Sequence, residues 1–145
     1  MVDLVGEPVK VGPVKELFPH SAKTGDIVVR VSVSYLPEQS EPSKGRWFWA
    51  YHIRIENEGE ARVKLVSREW EIRDGRGARH DVRGEGVVGE KPVIEPGQAF
   101  DYVSGCPLAT PTGSMAGRYN MVASDGSSFA VDIPRFPLIA PAVMS

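Results

Sequence analysis

Residues 46–57 read RWFWAYHIRIEN, and this stretch decides the fold. Its bulky apolar residues occupy alternate positions, at Trp47, Trp49, Tyr51, Ile53 and Ile55. The residues between them are mostly polar, and this period of two predicts a β-strand with one buried face. Phe48 is the exception on the polar face. It either covers a second layer of packing or contributes to an exposed contact.

Similar patterns on both sides of this segment predict further strands. Ile27 to Tyr35 alternates in the same way, and additional strands are expected at residues 99–104, 115–123 and 128–133. After Leu65 the apolar residues move from odd-numbered to even-numbered positions, which predicts a bulge near Val66 and Ser67. Glycine and proline turn signals separate the segments, and no helical apolar stripe interrupts them. The chain is therefore predicted to be an all-β, antiparallel β-sandwich of about seven to eight strands.

The strand pattern divides the chain into three parts. Residues 1–25, with Pro8, Pro13 and Pro19, are predicted to be an N-terminal arm, extended or partly ordered, with at most one helical turn at 14–18. Residues 26–140 form the sandwich domain, and residues 141–145 are a C-terminal tail. The apolar residues 136–141 either lie along the sandwich or seal a self-association surface.

Composition restricts the class of protein and its partners. The 145 residues include 17 Lys and Arg against 19 Asp and Glu, a net charge of -2, so no nucleic-acid partner is expected. No apolar run is long enough for a membrane span, and the N-terminus lacks the pattern of a signal peptide. Cys106 is the single cysteine. These features favour a soluble protein of the cytoplasm.

One formal motif suggests a ligand. Residues 84–89 read GEGVVG and match G-x-G-x-x-G, so Gly84, Gly86 and Gly89 are the candidate ligand-binding residues. A classical dinucleotide site is disfavoured because β-type sequence lies on both sides and two prolines, Pro92 and Pro96, follow. The glycines are expected either to serve a loop with unusual backbone angles or to contact a small anion.

Neither a metal site nor a catalytic centre is predicted. His20, His52 and His80 lie far apart and show no ligand spacing, and no cofactor is expected. Cys106 is expected to be a buried, inert thiol, and Glu69 and Glu71 are interpreted as solvated surface charge. The protein is therefore predicted not to be an enzyme.

Several short motifs resemble those of the ApaG family. YLPEQS at residues 35–40, GEGVVGE at 84–90 and SGCPL at 104–108 carry the resemblance, and further matches follow in order to about residue 140. The resemblance implies an immunoglobulin-like or fibronectin type III-like sandwich. It also implies an association with cobalt resistance and magnesium efflux, without catalytic residues to carry over. Similar domains in F-box proteins and in a polymerase-interacting protein look like protein-recognition modules.

These observations favour a non-enzymatic binding module with a protein partner. Two alternatives stay open: a binder of pyrophosphate or dinucleoside polyphosphates through the Gly84–Gly89 loop, and a self-assembling, homo-oligomeric structural protein.

Overall fold

The computed structural model describes residues 18–141, which form nine β-strands and two short 3-10 turns. The strands are β1 His20–Thr24, β2 Ile27–Tyr35, β3 Trp47–Asn57, β4 Val63–Asp74, β5 Arg79–Glu85, β6 Val93–Ile94, β7 Ala99–Leu108, β8 Thr112–Ala123 and β9 Ser128–Ile139. The turns are Pro37–Gln39 and Pro42–Lys44. Within this part of the chain no helix is long and apolar enough to cross a membrane.

The first sheet has the order β1-β2-β3-β7, and all its pairs are antiparallel. β3 lies in its interior, and its alternate residues from Trp49 to Ile55 are buried. The predicted strand at 46–57 is thus confirmed. Phe48 faces the other side of β3 and is half-buried.

The second sheet has the order β5-β4-β8-β9, with the two-residue β6 also paired to β4. The register of β4 against β8 shifts between Leu65 and Ser67, which confirms the predicted bulge. Before the bulge Val63 and Leu65 face the core, and after it Trp70 does. The bulge therefore moves Arg68 to the inner side of β4, because residues two apart in a strand share a face.

The two sheets pack face to face around one apolar core, which confirms the predicted antiparallel sandwich. The largest fully buried side chains come from both sheets and include Trp49, Ile53, Ile55, Leu65, Ile94, Met115, Tyr119, Met121, Phe136 and Leu138. Full burial of one such side chain is worth roughly 1.5–3 kcal/mol relative to exposure. The apolar side chains at alternate strand positions therefore provide most of the stability of the fold.

The last strand continues beyond its predicted end at residue 133. β9 extends to Ile139 and includes Pro134 and Pro137, which an edge strand tolerates because one side of it needs no amide donors. Phe136 and Leu138 are buried in the core, so these residues of the apolar 136–141 segment lie along the sandwich.

Part of the predicted N-terminal arm is a strand. Residues 20–24 form β1 and pair with β2, so the sandwich takes in residues before 26. β1 and β2 also contact β9 of the other sheet, where the Asp132 amide donates to Thr24 Oγ1 at 3.0 Å. Most of the arm, residues 1–17, including almost all of the predicted turn at 14–18, lies outside the described residues, as does the tail at 142–145.

Candidate functional site

The glycine motif spans the end of β5 and the loop that follows it. Gly84 is in β5, and Gly86 and Gly89 lie in the loop. The Gly86 amide donates to the Val66 carbonyl at 2.8 Å, and Val87 and Glu90 exchange amide-to-carbonyl hydrogen bonds of 2.8 and 2.9 Å. These three amides therefore stabilise the loop itself. The pyrophosphate contact remains a prediction.

Two of the glycines face close neighbours, a backbone carbonyl at Gly86 and a flexible side chain at Gly84. A Cβ on Gly86 would lie 2.1 Å from the Glu90 carbonyl oxygen, and its φ is +63°. A Cβ on Gly84 would lie 2.8 Å from Nη2 of Arg68, the residue that pairs with Gly84 across β4 and β5. Gly89 meets nothing within 4 Å but has a φ of +80°. The motif thus makes room for a carbonyl and for a guanidinium group.

Val88, between the glycines, has a φ of 42°. This backbone region is unfavourable for a β-branched residue, so the loop holds local strain. Its neighbour Val87 is fully buried and belongs to the core cluster. Val87, buried in the core, therefore anchors the loop, and the residue after it, Val88, carries the backbone strain.

Arg68 lies beneath this loop and faces a small polar cavity. Its Nη1 donates to the carbonyls of Glu85 and Gly86, at 3.0 and 2.7 Å. The cavity has a volume of about 170 Å³ and is also lined by Tyr51, Tyr102 and other residues of β7 and the loop. The bulge in β4 turns Arg68 inward, and its positive charge therefore lies at the boundary between the two sheets.

Tyr102, in the wall of this cavity, is hydrogen-bonded to the Tyr119 hydroxyl at 2.5 Å in the core. Burial raises the pKa of both tyrosines well above the ordinary value. Both hydroxyls are therefore neutral at physiological pH and act as hydrogen-bonding groups.

A larger cavity lies at the end of the sandwich, where the β1–β2 turn, the β3–β4 loop and the β8–β9 hairpin meet. Its volume is about 630 Å³. Its walls are largely apolar and include Ile27, Val63 and Phe129, with the exposed carboxylates of Asp26 and Glu60 also in the lining. Volume and lining fall in the range of ligand and anchor-residue pockets.

The outer face of the second sheet carries a network of charges. Arginines from β4, β5, β8 and β9 surround Glu69 and Glu71, namely Arg73, Arg79, Arg83, Arg118 and Arg135. Hydrogen bonds from Asn120 to Glu69, and from Arg73 and Arg135 to Glu71, lower the pKa of the two carboxyls. These glutamates are partners in an ion-pair network, an arrangement that the sequence pattern does not reveal.

The histidine and cysteine candidates lie in separate environments. His52 Nε2 lies 2.8 Å from Asp101 Oδ1, and Arg54 Nη1 donates to Asp101 Oδ2 at 2.7 Å. Cys106 is buried, and desolvation raises the pKa of its thiol to about 12. Within residues 18–141, no group of three or more His, Cys, Asp or Glu residues could hold a metal ion.

Sequence reasoning missed Arg68 and the end cavity. The signal for Arg68 was present, because it precedes the buried Trp70 by two positions and so shares its face once the bulge is accepted. The end cavity carries no local signal, since its residues come from β1, β2, β3, β4, β8 and β9 and their connections.

Comparison with known proteins assigns the family. The family model for the ApaG domain matches residues 37–123, more than half of the chain. The chain belongs to the ApaG family. Protein ApaG of Rhodospirillum centenum is 51% identical over 122 residues, which are 84% of this chain and 94% of that protein. Protein ApaG of Methylorubrum extorquens (strain PA1) is 50% identical over 122 residues, with the same coverage.

A solved structure supports the same assignment. A Bordetella pertussis protein whose crystal structure bears the name ApaA is 45% identical, with a TM-score of 0.78. The match covers 81% of this chain and 95% of that one. The ApaG domain match includes Arg68 and the whole glycine motif, while β1, β2 and β9 lie outside residues 37–123.

Proposed function

We propose that this ApaG-family chain is a non-enzymatic binding module of the cytoplasm whose partner is a protein. The observation that carries the proposal is the end cavity of about 630 Å³, with its apolar walls and acidic residues. Loops and strand ends at one end of a rigid sandwich commonly present binding surfaces. A cavity of this kind would receive an apolar side chain of the partner as an anchor.

Charge around the cavity defines the chemistry of the partner. Asp26 and Glu60 line the cavity. Glu58 lies in the β3–β4 loop with Glu60 and pairs with Lys23 at 3.1 Å. A partner segment with an apolar side chain beside a lysine or arginine would complement this surface. The link to cobalt resistance and magnesium efflux is part of the same proposal and would act through the partner.

Blocked dipeptides can test this chemistry directly. Titration of the ¹⁵N- and ¹³C-labelled chain with acetyl-Phe-Lys-amide is expected to produce saturable shifts at Ile27, Val63 and Phe129. Acetyl-Phe-Glu-amide is expected to bind more weakly, because its carboxylate approaches Asp26 and Glu60. Equal binding of the two peptides, or shifts that never saturate, would contradict the proposed chemistry.

Two variants at adjacent residues distinguish binding in the cavity from binding elsewhere on the surface. Ala123 faces inward and lines the cavity, so Ala123→Phe should fill it and abolish peptide binding. Val122 is its neighbour in β8 and points to the opposite face, so Val122→Phe adds a comparable ring outside the cavity. Partner proteins retained by the immobilised chain should be lost only with Ala123→Phe. Equal retention by both variants would refute the assignment of the cavity.

A further inference from the structure

The cavity beneath the glycine loop is lined by the Arg68 guanidinium. Among residues 18–141, the Arg68 guanidinium has two carbonyl acceptors and forms no ion pair with a carboxylate. Glu85 lies in the cavity lining, but its carboxylate is bound to Lys91 Nζ at 2.7 Å. A partly buried charge without an opposite charge is costly, which makes an anion a favourable occupant.

The geometry of the guanidinium leaves donors for such an anion. Nη1 is used by the carbonyls of Glu85 and Gly86, and Nη2 lies against Gly84, whose missing side chain leaves room for it. Both of these hydrogen bonds use Nη1, and neither uses Nε or Nη2. The Nε–Nη2 edge of an arginine matches the two oxygens of a carboxylate or a phosphate.

The size of the cavity limits the ligand. A volume of about 170 Å³ accommodates one planar or tetrahedral oxyanion with a few waters, but not a nucleoside. The lining is mostly polar, and Arg68 is its one cation among the described residues. The amides of Gly86, Val87 and Glu90 are already bonded within the protein, so these three do not attract the anion.

We propose that Arg68 and the loop at residues 85–89 form a binding site for a small oxyanion, a carboxylate or a single phosphate group. The G-x-G-x-x-G motif then holds an arginine that binds the anion, instead of contacting the anion through its own backbone. This site is independent of the end cavity, so either proposal can fail while the other stands.

The experiment is an NMR titration of the full chain that observes the Arg68 Nε–Hε signal and the amides of residues 87–89. Sodium phosphate and sodium acetate are the two probes, each at constant ionic strength adjusted with chloride. Saturable shifts at these signals are expected with at least one probe, and the stronger probe identifies the oxyanion class. No saturable shift at tens of millimolar of either probe overturns the proposal.

Three variants of charged residues make the test specific. Arg68→Gln should weaken binding about tenfold or more, since a charge-assisted hydrogen-bonding pair is lost. Arg83→Gln removes the same charge from an exposed position of β5 and should leave the affinity within about twofold, because exposed charges are screened. Equal loss in both variants would show only nonspecific attraction and would refute the site.

Glu85→Gln is a second test that does not depend on Arg68→Gln. It is needed because Arg68 also anchors the loop, and its substitution can disturb the loop. The Glu85 side chain is highly exposed, so the substitution is expected to preserve the fold. It removes a negative charge beside the cavity and frees Lys91, and the affinity for the anion should therefore rise about two- to fivefold. An unchanged or lower affinity contradicts the proposal, whatever the fate of Arg68→Gln.

Discussion

Substitution of Gly86 by alanine tests whether the glycine motif is required by the fold. The added Cβ would lie 2.1 Å from the Glu90 carbonyl oxygen, far inside van der Waals contact, so that carbonyl must move. Its movement breaks the hydrogen bond from Val87, worth about 1 kcal/mol. The positive φ of +63° adds about 1–2 kcal/mol for an L-residue. With the return bond from Glu90 weakened as well, Gly86→Ala should destabilise the fold by roughly 3–4 kcal/mol.

Gly89→Ala is the matched control within the same loop. Its φ of +80° is equally unfavourable, but the new Cβ meets nothing within 4 Å, so only the backbone cost of about 1–2 kcal/mol applies. Gly84→Ala meets the flexible end of Arg68 at 2.8 Å and should cost little stability. It should instead displace the guanidinium and weaken oxyanion binding. The three glycines of one motif therefore predict three different outcomes.

Urea unfolding followed by tryptophan fluorescence measures these differences. Trp49 and Trp70 are 1% and 4% exposed, so their emission should change strongly when the core opens. About 3–4 kcal/mol corresponds to a fall in Tm of roughly 10–15 °C for a domain of this size. Gly86→Ala within about 1 kcal/mol of the parent, or as mild as Gly89→Ala, would refute the steric argument.

Three further predictions concern buried groups. Cys106, with its thiol pKa raised to about 12, should react with a disulfide reagent at pH 8 only as fast as the protein opens, and rapid labelling of the native chain would contradict this. Burial raises the pKa of Tyr102 and Tyr119 well above the unfolded value near 10, so their contribution to stability is full below pH 10. It should be lost as the pH rises above 10, which alkaline unfolding would measure; stability that does not fall there would contradict this. Asp101→Asn weakens the contacts with His52 and Arg54 and should lower the free energy of unfolding by about 1–3 kcal/mol. The Asp101 side chain is only 10% exposed, so high salt in the urea assay should not abolish this difference.

The strands were predictable wherever one face of a sheet is buried. Alternation from Ile27 to Tyr35 and from Trp47 to Ile55 defines β2 and the buried face of β3, because the side-chain period of a strand is two. The parity change after Leu65 located the bulge for the same reason. β1 was not distinguished from the arm, since its burial alternates only between exposed and half-buried residues. The end of β9 was missed because its prolines are acceptable only at an edge, which local sequence does not specify.

The sequence by itself determined the two-sheet architecture, the family and the position of the glycine loop, because these depend on local periodicity and on short motifs. Only the tertiary structure decided what those glycines accommodate. Gly84 faces Arg68 through strand pairing, and Gly86 faces the Glu90 carbonyl through the closure of the loop. The end cavity likewise exists only after six strands have met at one end of the sandwich. Contacts between residues distant in the chain follow from register and sheet order, which the local pattern leaves open.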